Sequence, residues 1–118
     1  MDLHHAVLVH QQWKSRLNQI LGGTSQEKLD PAIVSRDDQC ELGRWIHGEG
    51  RRQFHDLPEF QELQRCHAHF HVKAGQVVRM ALNGNVKAAQ DIFDREFPED
   101  SKEIAVAVQR LKRLVPAH

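Results

Sequence analysis

The stretch from Pro58 to Gly84, PEFQELQRCHAHFHVKAGQVVRMALNG, carries the longest helical period in the chain. Phe60, Leu63, His67, Phe70, His71, Ala74, Val77, Val78 and Ala81 recur at three- and four-residue steps, the pattern of an amphipathic helix. Pro58 suits the first helical position and Asn83-Gly84 supplies a stop. Two residues of that inward face are histidines four apart, so one helix aims His67 and His71 at a single point. Burying an imidazole without a partner costs on the order of 1–3 kcal/mol. Two facing imidazoles therefore ask for a common partner, and a metal ion is the simplest one.

The rest of the chain reads as further helices. Leu3, Ala6, Val7, His10, Trp13, Leu17, Ile20 and Leu21 form a second apolar stripe that Gly22-Gly23 ends, and His10 lies in its middle. A polar loop and Pro31 follow. A short helix is expected from about Asp37 to His47, capped by Asp37 or Asp38, with Cys40 in its first turn and Gly48 and Gly50 closing it. Two more helices are expected beyond Gly84, one over Asn85 to Phe97 and one opened by Pro98 that runs through Ile104, Val108, Leu111 and Val115. No segment alternates as a strand does. The expected fold is all-α: an antiparallel four-helix bundle with an extra short helix that carries Cys40, in one domain over residues 1–118.

His10, Cys40, His67 and His71 together form the donor inventory of a closed zinc site, one ion per chain. His69 sits about 200° around its helix from His67, and His4 and His5 lie off the inward stripe, so all three are expected in solvent. His47 and His55 stay open as substitute ligands, since each lies close in sequence to a donor-bearing helix. Trp13 and Trp45 are expected as aromatic walls near the site, and Gly43 as a point of close helix packing. Cys66 points about 100° away from His67 and reads as packing.

Composition narrows the function classes. Sixteen basic residues balance sixteen acidic ones in 118 positions, and no Lys/Arg block offers a footprint for nucleic acid or an anionic membrane. No apolar run reaches the length of a membrane span, and the start Met-Asp-Leu-His-His lacks the order of a signal peptide, so the expected location is cytoplasmic. Two cysteines in a reducing compartment favour metal ligation or reactivity over a disulfide. Four protein ligands leave zinc no position for a reactive water, and Ala68 stands where His-Glu-x-x-His places its general base, so an enzyme is not expected.

Three segments carry a resemblance to a known family. His10-x-x-Trp13-Lys14-x-x-Leu17, Cys40-x-Leu42-Gly43-x-Trp45-Ile46-x-Gly48-x-Gly50 and His67-x-x-Phe70-His71-x-x-Ala74 resemble the chemoreceptor zinc-binding domain. The resemblance implies a mainly four-helix bundle that binds one zinc ion through three histidines and a cysteine, here His10, Cys40, His67 and His71. It also implies a cytoplasmic, commonly dimeric sensor attached to bacterial chemoreceptors or diguanylate cyclases, responding to zinc or to oxidants such as hypochlorous acid. Cys40 would be the redox switch, because zinc and a helix amino end both favour its thiolate. The chain contains neither a methyl-accepting coiled coil nor a cyclase domain, so it is expected to be an isolated sensor domain or to signal in trans. Two other classes compete: a zinc-stabilised interaction scaffold without sensing, and a hemerythrin-like di-iron oxygen carrier, which would need more histidines and bridging carboxylates than the spacing offers.

Overall fold

The computed structural model describes residues 3–23 and 29–114, with backbone alone at 3, 4, 6 and 9. The expectations for the side chain of His4 and for Val115 fall outside that description. The elements in chain order are α1 (Leu3–Leu21), α2 (Pro31–Val34), α3 (Glu41–Trp45), a π-type turn (Ile46–Gly50), α4 (Arg51–Phe54), α5 (Pro58–Leu82), α6 (Val86–Arg95) and α7 (Phe97–Leu114). The described residues form helices joined by turns and short loops and contain no strand, as the periodicity predicts.

α5 is the element on which the others pack: α1, α2, α6 and α7 all lie against it. Its start is set by Leu57, held extended at φ −82° and ψ 127°, and by Pro58 in the first turn. At its other end Asn85 N–H reaches Met80 O at 2.8 Å and Gly84 N–H reaches Ala81 O at 3.2 Å. This pair of bonds requires a left-handed residue, which Gly84 supplies at φ +85°. The buried face of α5, with Phe60, Leu63, Phe70, Ala74, Val77 and Val78, meets Leu17 of α1, Phe93 of α6, and Phe97, Ile104 and Leu111 of α7 in one apolar cluster. His10, His67 and His71 are buried at its edge.

The segment between α1 and α5 departs from the expectation in three ways. Pro31 opens a helix: Asp30 is its cap, accepting from Ala32 N–H at 2.9 Å, and Ser35 Oγ donates to Pro31 O at 2.7 Å. The helix expected from Asp37 begins at Glu41, so Cys40 is its cap and not part of its first turn. The physical reason is that Cys40 Sγ accepts the Gly43 N–H at 3.2 Å, the bond a capping side chain makes. Finally, Gly48 and Gly50 do not end the helical path. Gly48 breaks it locally at φ −110° and ψ −105°, and the chain resumes as α4. Gly50 keeps helical angles and is small for packing, since a Cβ there would stand 2.9 Å from ring carbons of Trp45. α6 (Val86–Arg95) lies slightly inside its expected limits, and α7 begins one residue earlier than expected, at Phe97 and not at Pro98.

Candidate metal centre

Three elements bring the four donors together. α1 presents His10, the cap of α3 presents Cys40, and one face of α5 presents His67 and His71. His10 Nε2 lies 3.1 Å from His71 Nε2, and His71 Nε2 lies 3.2 Å from His67 Nε2. Cys40 Sγ lies 3.2 Å from His67 Nε2 and 3.5 Å from His71 Nε2. All four donor atoms fall within 4.8 Å of one another. A tetrahedral zinc with ordinary bond lengths sets N···N edges of about 3.4 Å and N···S edges of about 3.6 Å. The four short separations already have that scale.

The protons argue the same way. Val34 O sits 3.0 Å from His71 Nδ1, and a carbonyl can only accept, so His71 carries its proton on Nδ1 and turns a bare Nε2 lone pair to the cluster. That one lone pair faces three other donor atoms and cannot satisfy them all by hydrogen bonds. A cation accepts all four lone pairs at once. His67 turns its Nε2 to the cluster, while its buried Nδ1, on the far side of the ring, makes no hydrogen bond to the described residues.

Burial sets the charge states. It is the main cause that depresses His10 to about 3, with His71 adding to it, and His67 to about 2, with His10, His71 and His47 adding to it. His71 is lowered by burial too, against the opposing bond from Val34 and the charge of Asp37. The three rings are thus neutral ligands at neutral pH. In the metal-free protein burial raises the Cys40 thiol above its ordinary value, against the N–H groups of Gly43 and Leu42, which lower it. The expected thiolate therefore depends on the metal; the helix end alone does not produce it.

The residues singled out as supports fall in different places. Trp13 stands edge-on to His71 with ring centres 6.0 Å apart, and the Arg16 guanidinium lies 4.0 Å over its ring. Trp45 is buried on Phe54 and Phe60, both with ring centres 6.1 Å away, as part of the core. Gly43 is a contact point in the strict sense: a Cβ there would lie 1.7 Å from Asp37 O and 3.1 Å from His67 Cε1. Among the substitute ligands, His47 pairs with Asp37 at 3.1 Å and His55 with Asp56 at 3.2 Å. His5 is exposed, as expected. His69 is half exposed, but its Nδ1 also lies 2.9 Å from the buried carboxylate of Asp100, a partner the helical period gave no sign of. Cys66 is buried beside Glu62, and burial followed by that carboxylate pushes its thiol up to about 12.

Sequence reasoning missed the carbonyl of Val34. Asp30-Pro31 ahead of Ala32-Ile33-Val34 was the available signal, since an acidic cap followed by proline marks a helix start. The donor cluster holds three histidines and a cysteine and no carboxylate, which gives a di-iron site nothing to bridge with. The family model described as the chemoreceptor zinc-binding domain matches residues 10–78, a span that begins at His10 and takes in Cys40, His67 and His71. No curated protein and no solved structure matches the chain.

Proposed function

This chain belongs to the chemoreceptor zinc-binding domain family, and we propose that it is one sensory domain, residues 1–118, that ligates one zinc ion through His10, Cys40, His67 and His71. The observation that carries the reading is the convergence of three neutral imidazole nitrogens and one thiol, four of their separations lying between 3.1 and 3.5 Å. Bound zinc supplies a double positive charge that holds Cys40 as thiolate. The α1, α5, α6 and α7 helices are read as an antiparallel bundle, with α3 the extra short helix that brings the cysteine. Three histidines and a cysteine fill a tetrahedron, which suits sensing better than turnover.

Cys40 is the point at which a signal enters. His10, His67 and His71 are at most 3% exposed, whereas Cys40 is half-buried and, with His10 and His71, lines a cavity of about 470 Å³ walled by Trp13, Ile33 and Arg44. A small oxidant thus has a path to the sulfur. With hypochlorous acid the Cys40 thiolate takes the chlorine and hydroxide leaves. Water then displaces chloride to give the sulfenic acid, a weaker donor to zinc. Release of Cys40 would free α3 and the turn after it from the two histidine-bearing helices, and the output would pass to a chemoreceptor or a diguanylate cyclase.

The test is stoichiometric hypochlorous acid on zinc-loaded protein, with mass mapping of both cysteines and hydrogen exchange over residues 37–50. Oxidation of Cys40 before Cys66, with loss of protection in that segment, is expected. Oxidation of Cys66 first, or of Cys40 with unchanged protection, would leave a constitutive zinc scaffold as the better account.

A further inference from the structure

The cavity that opens onto Cys40 is larger than a small oxidant needs. At about 470 Å³ it has the size of clefts that take up small organic molecules. Part of its wall is apolar: Trp13, Ile33 and Leu42 line it, and Ile33 is left 53% exposed there. The rest carries charge, from Arg16, Arg36 and Arg44 and from Asp30 and Glu41. Most of these groups already have partners. Asp30 accepts from Ala32 N–H at 2.9 Å, Glu41 lies 3.9 Å from His5 Nε2, Arg36 pairs with Asp38 at 3.0 Å, and Arg16 lies over the Trp13 ring.

Arg44 is different, since no carboxylate among the described residues pairs with it. It stands one helical turn after Cys40, whose carbonyl accepts its main-chain N–H at 2.9 Å. Its side-chain Nη2 donates to the carbonyl of Gln39 at 3.0 Å, which ties the guanidinium to the backbone next to Cys40 and leaves four of its five N–H groups without a described partner. An arginine lacking a counter-charge, beside an open apolar wall, is complementary to an amphipathic anion. We propose that the cavity is a binding site for a small organic carboxylate, with its charged end on Arg44 and its apolar body on Trp13, Ile33 and Leu42, and that the bound molecule covers Cys40. On the reading that Cys40 is where an oxidant acts, such a ligand gates that reaction; the binding itself uses no metal.

Phenylbutyrate serves as the probe, and phenylbutyramide, of the same shape without the charge, as its control. Binding to the full chain, zinc-loaded and metal-free, would be followed by NMR of the backbone amides and the Trp13 indole, and covering by the rate at which N-ethylmaleimide alkylates Cys40. The acid is expected to shift the Trp13 indole and the amides of residues 39–44, to bind about tenfold more tightly than the amide, and to slow alkylation severalfold. Arg44→Gln should weaken the acid about tenfold and leave the amide unchanged, whereas Arg51→Gln, outside the cavity, should change neither. Equal binding of acid and amide, shifts centred elsewhere, or an unchanged acid affinity in Arg44→Gln overturns the site, and binding that leaves alkylation as fast or makes it faster overturns the covering of Cys40. A wild-type chain that binds the acid in this way but binds no zinc would remove the metal reading and uphold this one.

Discussion

His71 is held from both sides: Val34 O fixes the proton on its Nδ1, and its Nε2 faces three donor atoms. That arrangement makes the metal-free protein sensitive to acid. The unfolded chain takes up protons on these rings near the ordinary histidine value of about 6.5, whereas the folded chain holds His10 to about 3 and His67 to about 2. His71 is shifted in the same direction. The stability these rings contribute is therefore complete above about pH 6.5 and declines as pH falls toward 3, by about 1.4 kcal/mol per pH unit for each of His10 and His67. Thermal melts of metal-free protein are expected to drop steeply below about pH 6 and to drop less when His10 is replaced by Gln. A flat profile would mean the rings are solvated. At this scale the sequence was legible wherever periodicity decides: His10, His67 and His71 point inward because their helical phase puts them there. The Val34 carbonyl and the Asp37–His47 pair belong to irregular segments, where no period tells which groups meet.

α2 shows how a short element governs a site it does not ligate. It lies against α5 at Gly75, where a Cβ would stand 1.9 Å from Ser35 Oγ and 3.1 Å from Pro31 O. Only a glycine allows α2 close enough for Val34 O to reach His71. Gly75→Ala is expected to push α2 away, cost about 1–3 kcal/mol of stability and lower zinc affinity, although residue 75 touches none of the four donors' coordinating atoms. Thermal melts and zinc competition on that variant check this; unchanged affinity would separate α2 from the metal centre. α2 was hard to read because four residues cannot establish a period, so its cap was the one usable sign. α3 was misplaced for a related reason. Asp37 and Asp38 are good capping residues by type, yet Asp38 pairs with Arg36 at 3.0 Å and Asp37 with His47, which leaves the cap to Cys40.

Across the whole molecule the long helices were legible and their association was not. The apolar stripe of α7 is of a kind that can serve a core or a partner surface. Ile104, Ala107, Val108 and Leu111 are buried within the chain, while Val106 and Leu114 remain exposed at 40% and 51%. The core accounts for most of the stripe. A homodimer, which the family resemblance implies, would use what is left on α7, and light scattering at micromolar concentration is expected to give a dimeric mass that Val106→Asp reduces. No described helix is long and apolar enough to cross a membrane. The function proposed for this chain depends on a single metal at the meeting point of α1, α3 and α5. The most direct test is anomalous diffraction at the zinc edge from crystals of the protein purified without added metal. One peak per chain is expected, about 2.0–2.1 Å from Nε2 of His10, His67 and His71 and about 2.3 Å from Cys40 Sγ. No peak there, or a peak bound through other residues, would contradict the assignment.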